Sequence, residues 1–212
     1  MKAREQILVA ADRLFGEQGF DAATTREIAE VSGVNKALIH YHFKSKDALF
    51  EAVLDGYYQR LNLVLSKALA SPGAPRQRLT KLVDAYVDFL SQNRNFSKIV
   101  QRESSNGPRV DRISGHLEPM FKMGADLIQA AYPKTKGGAT EAHHLMVSFY
   151  GIIVTYFTYS GVLENLVGKD PLSKKELASR KKHLHWMLGL ILDAVENGDP
   201  ALARARVKKS KT

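Results

Sequence analysis

The side chains best suited to contact nucleic acid lie between residues 35 and 46. Lys36, His40 and Tyr41 occur among apolar residues, of which Ile39 and Phe43 are four positions apart. Residues four apart share one face of a helix, so these two would point inward and leave the polar side chains towards solvent. Exposed cationic and hydroxyl groups are suited to phosphate oxygens and to base edges. The segment therefore predicts a DNA-reading helix.

Other chemically capable residues form no complete site. Glu141 and His144 have the Glu-x-x-His spacing of helical di-metal sites, but the sequence has no second copy of it. The absence of cysteine excludes disulfides, thiolate zinc sites and thiol nucleophiles. The sequence has no Gly-rich phosphate loop and no nucleophile motif. We predict no catalytic residue, metal, cofactor or enzymatic activity, with a metal-dependent helical enzyme as an alternative.

Local signals define the elements that would position this helix. Thr24 and Glu27 have capping-box spacing, so a short helix begins there and buries Ile28. Gly33 then allows a tight turn, because glycine adopts positive φ at little cost. Asn35 is a favourable N-cap for the next helix. The pattern predicts a helix-turn-helix, whose second helix enters the major groove at its N-terminal end.

The rest of the chain has helical periodicity. Apolar residues recur at spacings of three and four from Ile7 to Phe15 and from Leu49 to Leu65. Clusters of Gly, Pro, Ser and Asn interrupt the pattern at 71–75, 104–108, 133–138, 168–171 and 198–200. We predict an all-α fold with an N-terminal three-helix helix-turn-helix DNA-binding domain, followed by a larger helical ligand-binding and dimerisation domain.

Domain boundaries follow from this pattern and from charge. We predict a DNA-binding domain over residues 1–46, a helical effector-binding and dimerisation domain over 47–200, and a basic, disordered tail over 201–212. The net charge is +9, yet residues 1–50 contain seven Lys or Arg and seven Asp or Glu. Charge alone therefore does not locate a DNA site. We expect the basic tail to add sequence-independent affinity for DNA.

An uncharged segment extends from Leu145 to Leu163. Its length is enough to cross a bilayer, which leaves a membrane-associated helical protein as an alternative. Ser, Thr and Tyr residues dilute its hydrophobicity, however, and a helix that is apolar on all sides can also be buried in a bundle. We predict no membrane association and a homodimer through helices near 143–163 and 174–197, paired as a four-helix interface.

The segment from Thr24 to Phe50 resembles the DNA-binding signature of the tetracycline repressor (TetR/AcrR) family. The resemblance covers about the first quarter of the chain and implies that nine residues bind DNA: Thr25, Asn35, Lys36, Ala37, Leu38, His40, Tyr41, His42 and Lys46. Of these, Lys36, Ala37 and Leu38 would face bases. The implied phosphate contacts are those of Thr25, His40, Tyr41, His42 and Lys46.

The same resemblance implies a ligand-responsive transcription regulator. It would repress transcription by binding a palindromic operator as a homodimer, and a small, largely apolar effector would release or modulate it. The candidate pocket residues are aromatic residues and methionines: Tyr86, Phe89, Phe96, Met120, Phe121, Met123, Phe149, Tyr150, Tyr156 and Phe157. A cytoplasmic location is expected, because no uninterrupted apolar signal region occurs at the N-terminus.

Overall fold

The computed structural model describes residues 2–104 and 109–197, in which α-helices are joined by short turns and loops. These ranges contain ten α-helices, a short 3-10 turn at Pro133–Lys136 and no strand, which confirms the predicted all-α class. The helices are α1 (Ala3–Gln18), α2 (Thr25–Ser32), α3 (Lys36–Phe43), α4 (Lys46–Leu69), α5 (Pro75–Gln92), α6 (Arg94–Glu103), α7 (Val110–Ala131), α8 (Ala142–Thr158), α9 (Ser160–Val167) and α10 (Lys174–Asn197).

Packing divides the chain into two compact units. Unit 1 consists of Met1–Val64 and Phe89–Leu117, and unit 2 consists of Leu65–Asp88 and Glu118–Thr212. The predicted boundary between residues 1–46 and 47–200 separates a DNA-binding domain from a ligand-binding domain. A division by packing does not test this functional boundary, which stays a prediction. The proposed basic tail lies outside the described residues.

Unit 1 has an aromatic core at its N-terminal end. The ring centroids of Phe15, Phe20 and Phe50 are 5.1 to 5.8 Å apart, and all three side chains are buried. Complete burial of a phenylalanine contributes roughly 1.5–3 kcal/mol to stability. This cluster therefore ties α1, the turn after it and α4 together, and so supports the two short helices between them.

A second aromatic cluster in unit 1 joins α4, α5 and α6. Phe96 contacts Tyr57, Tyr58 and Phe89, with ring centroids 4.9, 5.2 and 5.7 Å away. His116 of α7 stacks on Tyr58 at 4.4 Å. These contacts attach α6 and the first part of α7 to the middle of α4.

Unit 2 is organised around one face of α10. Leu184, Leu188 and Leu192 recur every four residues and are buried, so they form a single stripe along the helix. On the side facing α5, Arg76 Nη2 donates to the carbonyl oxygen of Gly189 at 2.8 Å. α10 thus packs through an apolar stripe, and a hydrogen bond links it to α5 between residues 113 positions apart.

Two helix breaks were not predicted. Asn93 separates α5 from α6, and its Nδ2 donates to the carbonyl oxygen of Phe89 at 2.7 Å. An Asn side chain that competes for main-chain acceptors favours a helix end. Tyr159, with φ −99° and ψ 21°, separates α8 from α9. The uncharged segment is therefore two helices rather than one.

This bend bears on the membrane alternative. No single helix in residues 2–104 and 109–197 is long and apolar enough to span a membrane. α8 and α9 reach the length and hydrophobicity of a membrane span only when they are taken together, and the chain bends by 72° between them.

Candidate nucleic-acid interface

The N-terminal end of α2 carries the predicted capping box. Thr24 Oγ1 accepts a hydrogen bond from the N–H of Glu27 at 3.1 Å, and the Glu27 carboxylate accepts from the N–H of Thr24 at 2.8 Å. The hydrogen bond from the Thr24 hydroxyl and then that from its N–H lower the pKa of Glu27. The capping box makes Thr25, which is half-buried, the first residue of α2.

The turn between α2 and α3 has the predicted geometry. Gly33 has φ 68° and ψ 21°, in the left-handed region that glycine occupies without strain. Asn35 then caps α3, because its Oδ1 accepts from the N–H of Ala37 at 2.8 Å. The side-chain oxygen of Asn35 accepts the capping hydrogen bond, and its NH₂ group can still donate to another partner.

α3 has one buried and one exposed face, as predicted. Ile39 and Phe43 are 2% and 5% exposed and pack into unit 1. Five residues on the other face are exposed: Lys36, Ala37, Leu38, His40 and Tyr41. Tyr41 is 69% exposed, so its ring contributes little to the core. The structure therefore brings five of the nine candidate DNA-binding residues onto one accessible surface.

A shallow groove beside α3 is bordered by cations. Its lining consists of Thr25, Lys36, Ala37, Ile39, His40, Lys44, Ser45 and Lys46. Lys44 was not among the predicted site residues. It is exposed at the C-terminal end of α3, where its Nζ donates to the carbonyl oxygen of Tyr41 at 3.1 Å and lies 5.6 Å from the centre of the Tyr41 ring. Its position directly after the last buried residue of α3 is the signal that could have identified it.

Lys46, at the start of α4, directs its ammonium group towards the main chain. Its Nζ donates to the carbonyl oxygens of Phe20, Ala23 and Asp21 at 2.9, 3.0 and 3.4 Å. It also lies 4.4 Å from the centre of the Phe20 ring. An ammonium group has three donors, and these contacts can occupy all of them. This geometry favours a role in holding the turn between α1 and α2.

His42 lies at the edge of the exposed face and is half-buried. Its ring centroid is 5.1 Å from that of Tyr41 and 6.2 Å from that of Phe43. It therefore borders both the exposed face and the core, and its contact with DNA stays a prediction.

A buried ion pair, which the sequence did not predict, holds the α1–α2 turn. Glu103 of α6 accepts a hydrogen bond from the N–H of Phe20 at 3.2 Å and pairs with Arg109. Arg109 also pairs with Asp21 at 2.7 Å and lies 4.6 Å from the centre of the Phe20 ring. The turn that leads into the helix-turn-helix is thus connected to α6 and to the residue before α7.

The candidate pocket residues are divided between the two units. Phe89 and Phe96 belong to the aromatic core of unit 1, and the other eight belong to unit 2. Of those eight, Met120 and Phe157 are buried, Met123 is exposed, and Tyr86, Phe121, Phe149, Tyr150 and Tyr156 are half-buried. Phe121 contacts Tyr150 at 5.4 Å between ring centroids. Contact with an effector stays a prediction for these residues.

Two groups of His and carboxylate side chains have ligand atoms within 4.8 Å of one another: Glu141 with His143 and His144, and Glu51 with Asp55 and His116. The Glu-x-x-His pair is therefore brought together at the start of α8. His143 and His144 are exposed, and Nδ1 of His143 pairs with Glu141 at 2.9 Å. Exposed, internally paired groups of this kind give no support to metal-dependent catalysis.

Comparison with known families concerns first the N-terminal region. The family model described as bacterial regulatory proteins, tetR family, matches residues 7–53. This range contains most of α1, all of α2 and α3, and the start of α4. It therefore includes every predicted DNA-binding residue.

Curated relatives extend the likeness beyond this range. The HTH-type transcriptional activator FasR of Mycolicibacterium smegmatis is 34% identical over 108 residues, which are 50% of this chain and 49% of that protein. The HTH-type transcriptional repressor KstR2 of the same species is 28% identical over 129 residues, which are 59% of this chain and 63% of that protein. The chain thus matches less than two thirds of the length of either relative.

Solved structures resemble most of the chain. The ketosteroid transcriptional regulator KstR2 of Mycobacterium tuberculosis has a TM-score of 0.71 at 19% identity, covering 89% of this chain and 94% of that one. The fatty acid degradation regulator FadR of Bacillus halodurans has a TM-score of 0.69 at 16% identity, covering 89% and 95%. Identities this low concern the fold, and they support the predicted helix-turn-helix followed by a helical domain. The family match over residues 7–53, together with the capped α3 and its exposed face, identifies the N-terminal region of the chain as a DNA-binding region of the tetR family of bacterial regulatory proteins.

Proposed function

We propose that the chain is a ligand-responsive transcription regulator that reads operator DNA with α3. The observation that carries this proposal is the exposed face of α3, whose side chains have no role in the core although both ends of the helix are fixed. In a helix-turn-helix the N-terminal residues of the second helix face base edges. Lys36 would donate to guanine, Leu38 would contact a thymine methyl group, and Ala37 would let the backbone approach the bases.

Phosphate contacts would set the position of α3 on the duplex. Thr25 lies at the N-terminal end of α2, where main-chain N–H groups and the helix dipole attract an anion. Lys44 borders the same groove, so a phosphate there would meet a cation. We assign to Lys44 the contact that the resemblance implies for Lys46, because the Lys46 ammonium is held by main-chain carbonyl groups.

Exposed side chains beside that groove would add further phosphate contacts. The Tyr41 hydroxyl and the His40 ring are on the accessible face of α3 and can donate hydrogen bonds. The NH₂ group of Asn35 and the half-buried His42 ring lie at its two ends. These four contacts are independent of sequence, so they would contribute affinity and orientation rather than base preference.

A homodimer would present two copies of α3 to successive major grooves. In unit 2, Val147 of α8, Leu166 of α9 and Trp186 of α10 are 55%, 77% and 60% exposed. Large exposed apolar side chains on neighbouring segments are typical of an interaction surface. We infer that the helices near 143–163 and 174–197 pair with a second copy, which would read a palindrome with half-sites about 34 Å apart.

A small, largely apolar effector would modulate DNA binding. The names of two structural relatives refer to ketosteroids and to fatty acid degradation, which supports an apolar effector class. The name of KstR2 supports repression as the sign of regulation. Because linkage is reciprocal, an effector that weakens DNA binding must bind less tightly to the DNA complex. A cytoplasmic location and the lack of catalysis are part of the same proposal.

Selection of bound fragments from random duplex DNA tests the proposal. The parent protein should enrich one palindromic motif at low salt, and Tyr41→Ala should retain much less DNA under the same conditions. Leu63→Ala, at another exposed residue of unit 1, is the matched control and should recover the same motif. Failure of the parent protein to enrich any motif would overturn the proposal.

A further inference from the structure

A groove in unit 2 lies between the C-terminal part of α8, α9 and the first turns of α10. Its volume is about 700 Å³, within the range of roughly 300–1,000 Å³ that is typical of small-molecule sites. Most of its lining is apolar and includes Ile152, Leu163 and Val167. Of the ten candidate pocket residues only Tyr156 lines it, so this groove is distinct from the predicted pocket.

Arg180 is a cation in this groove that has no carboxylate partner among residues 2–104 and 109–197. Its Nη2 donates to the main-chain oxygen of Ile152 at 3.0 Å, and its guanidinium lies 4.8 Å from the centre of the Tyr156 ring. Its Nε is buried and has no hydrogen-bond partner in the described part of the chain. Burial lowers the pKa of Arg180, with Tyr156 acting in the opposite direction. A partly desolvated guanidinium of this kind favours an anionic partner.

Arg180 lies on a different side of α10 from the exposed apolar side chains of that helix. Leu184 and Leu188, four and eight residues later, are buried, so Arg180 belongs to the inward side of the helix. Trp186 and Leu190 are exposed and lie on another side. Tyr156, beneath the guanidinium, is anchored by a hydrogen bond from its hydroxyl to the Pro171 oxygen at 2.8 Å. The groove floor is therefore preformed.

Charge and shape together indicate the ligand. Lys169 and Glu176 also line the groove, so its three ionised side chains sum to one positive charge. A guanidinium binds a carboxylate through two parallel hydrogen bonds. We propose that the groove binds a monocarboxylic acid with an apolar body, its carboxylate on Arg180 and its body against the apolar wall. This inference rests on the proposed function, and it specifies the apolar effector of that function as a monocarboxylic acid.

The test compares decanoate with decan-1-ol, which share an apolar chain and differ in charge, by isothermal titration calorimetry on the full-length protein without DNA. Decanoate, kept below its micellar concentration, should bind at least tenfold more tightly than the alcohol. Arg180→Met should abolish this preference, whereas Lys182→Met, which removes an exposed charge from the same helix, should keep it. Glu176→Gln should strengthen decanoate binding, because it removes a repelling charge.

Gly151→Leu supplies a second test that does not involve charge. A Cβ at Gly151 would meet nothing within 4 Å, and the residue lines the groove, so a leucine side chain there would extend into the groove and reduce its volume. Both ligands should then lose binding while the melting temperature and the dimer mass, measured by ultracentrifugation, stay unchanged. Retention of the decanoate preference in Arg180→Met, or absence of binding to the parent protein, would overturn the inference.

Two further outcomes separate this inference from the proposed function. Loss of the dimer in Arg180→Met or Gly151→Leu without ligand would overturn the carboxylate site and assign the groove to the subunit interface. Decanoate binding by a protein that selects no DNA motif would support the site and overturn the DNA proposal. A selected operator together with no decanoate binding would overturn only the carboxylate site.

Discussion

The carboxylate of Glu103 accepts a hydrogen bond from the backbone N–H of Phe20 at 3.2 Å, although the two residues are 83 positions apart. Glu103 is 3% exposed, and Arg109 supplies the opposite charge. A buried pair of this kind stabilises a fold only while both partners are present, because either charge alone remains desolvated. The turn that leads into α2 therefore depends on residues at the end of α6 and just before α7.

Arg109→Met should destabilise the protein strongly. It leaves the buried Glu103 carboxylate without its counter-ion, and we expect the free energy of unfolding to fall by about 3–5 kcal/mol. Denaturation in urea measures the change. Arg13→Met, which removes an exposed pair with Glu17, is the control and should cost about 0.3–0.5 kcal/mol. Equal effects of the two substitutions would contradict the role of Arg109.

Substitutions at two positions of α3 should have different effects on DNA binding. Tyr41→Ala should weaken binding to all sequences alike, because its hydroxyl would contact the backbone. Lys36→Ala should cost about 1–3 kcal/mol at the operator and relax base preference at one position. Binding to a panel of single-base operator variants distinguishes the two results. Parent-like binding by both variants would show that α3 is not the recognition helix.

Lys44 and Lys46 should respond oppositely to substitution. Lys44→Gln should reduce the slope of log affinity against log salt by about one, because one phosphate contact is lost. Lys46→Met should leave the slope unchanged and lower the free energy of unfolding by roughly 1.5–3 kcal/mol, since hydrogen bonds from a charged donor are lost. Salt titrations and urea denaturation on both variants check this. The reverse pattern would restore the phosphate role of Lys46.

Stability should fall at alkaline pH partly through Tyr57. Burial, and then a hydrogen bond to Asp12, raise the pKa of Tyr57 above its ordinary value. The folded state therefore holds this proton more tightly, so the stabilisation is complete below the unfolded pKa of about 10 and is lost as pH rises beyond it. Tyr57→Phe should be less stable at neutral pH and lose less stability between neutral and strongly alkaline pH. Equal losses in parent and variant would contradict this.

Local interactions account for what could be predicted of this protein. The capping box at Thr24, the positive φ of Gly33 and the inward direction of Ile39 each depend on residues within a few positions, so spacing alone identified them. The break at Asn93 has the same local origin, but an Asn in a helical pattern also occurs without ending a helix.

The sequence by itself determined the all-helical class, the helix-turn-helix and the exposed face of α3, because helical periodicity and capping are local properties. Only the tertiary structure decided that Lys46 serves the α1–α2 turn, that Glu103 and Arg109 support it, and that Arg180 lies over Tyr156. These relationships join residues about 24 to 89 positions apart. Tertiary packing determines which of these residues contact one another, and the spacing of residues along the chain does not indicate these contacts.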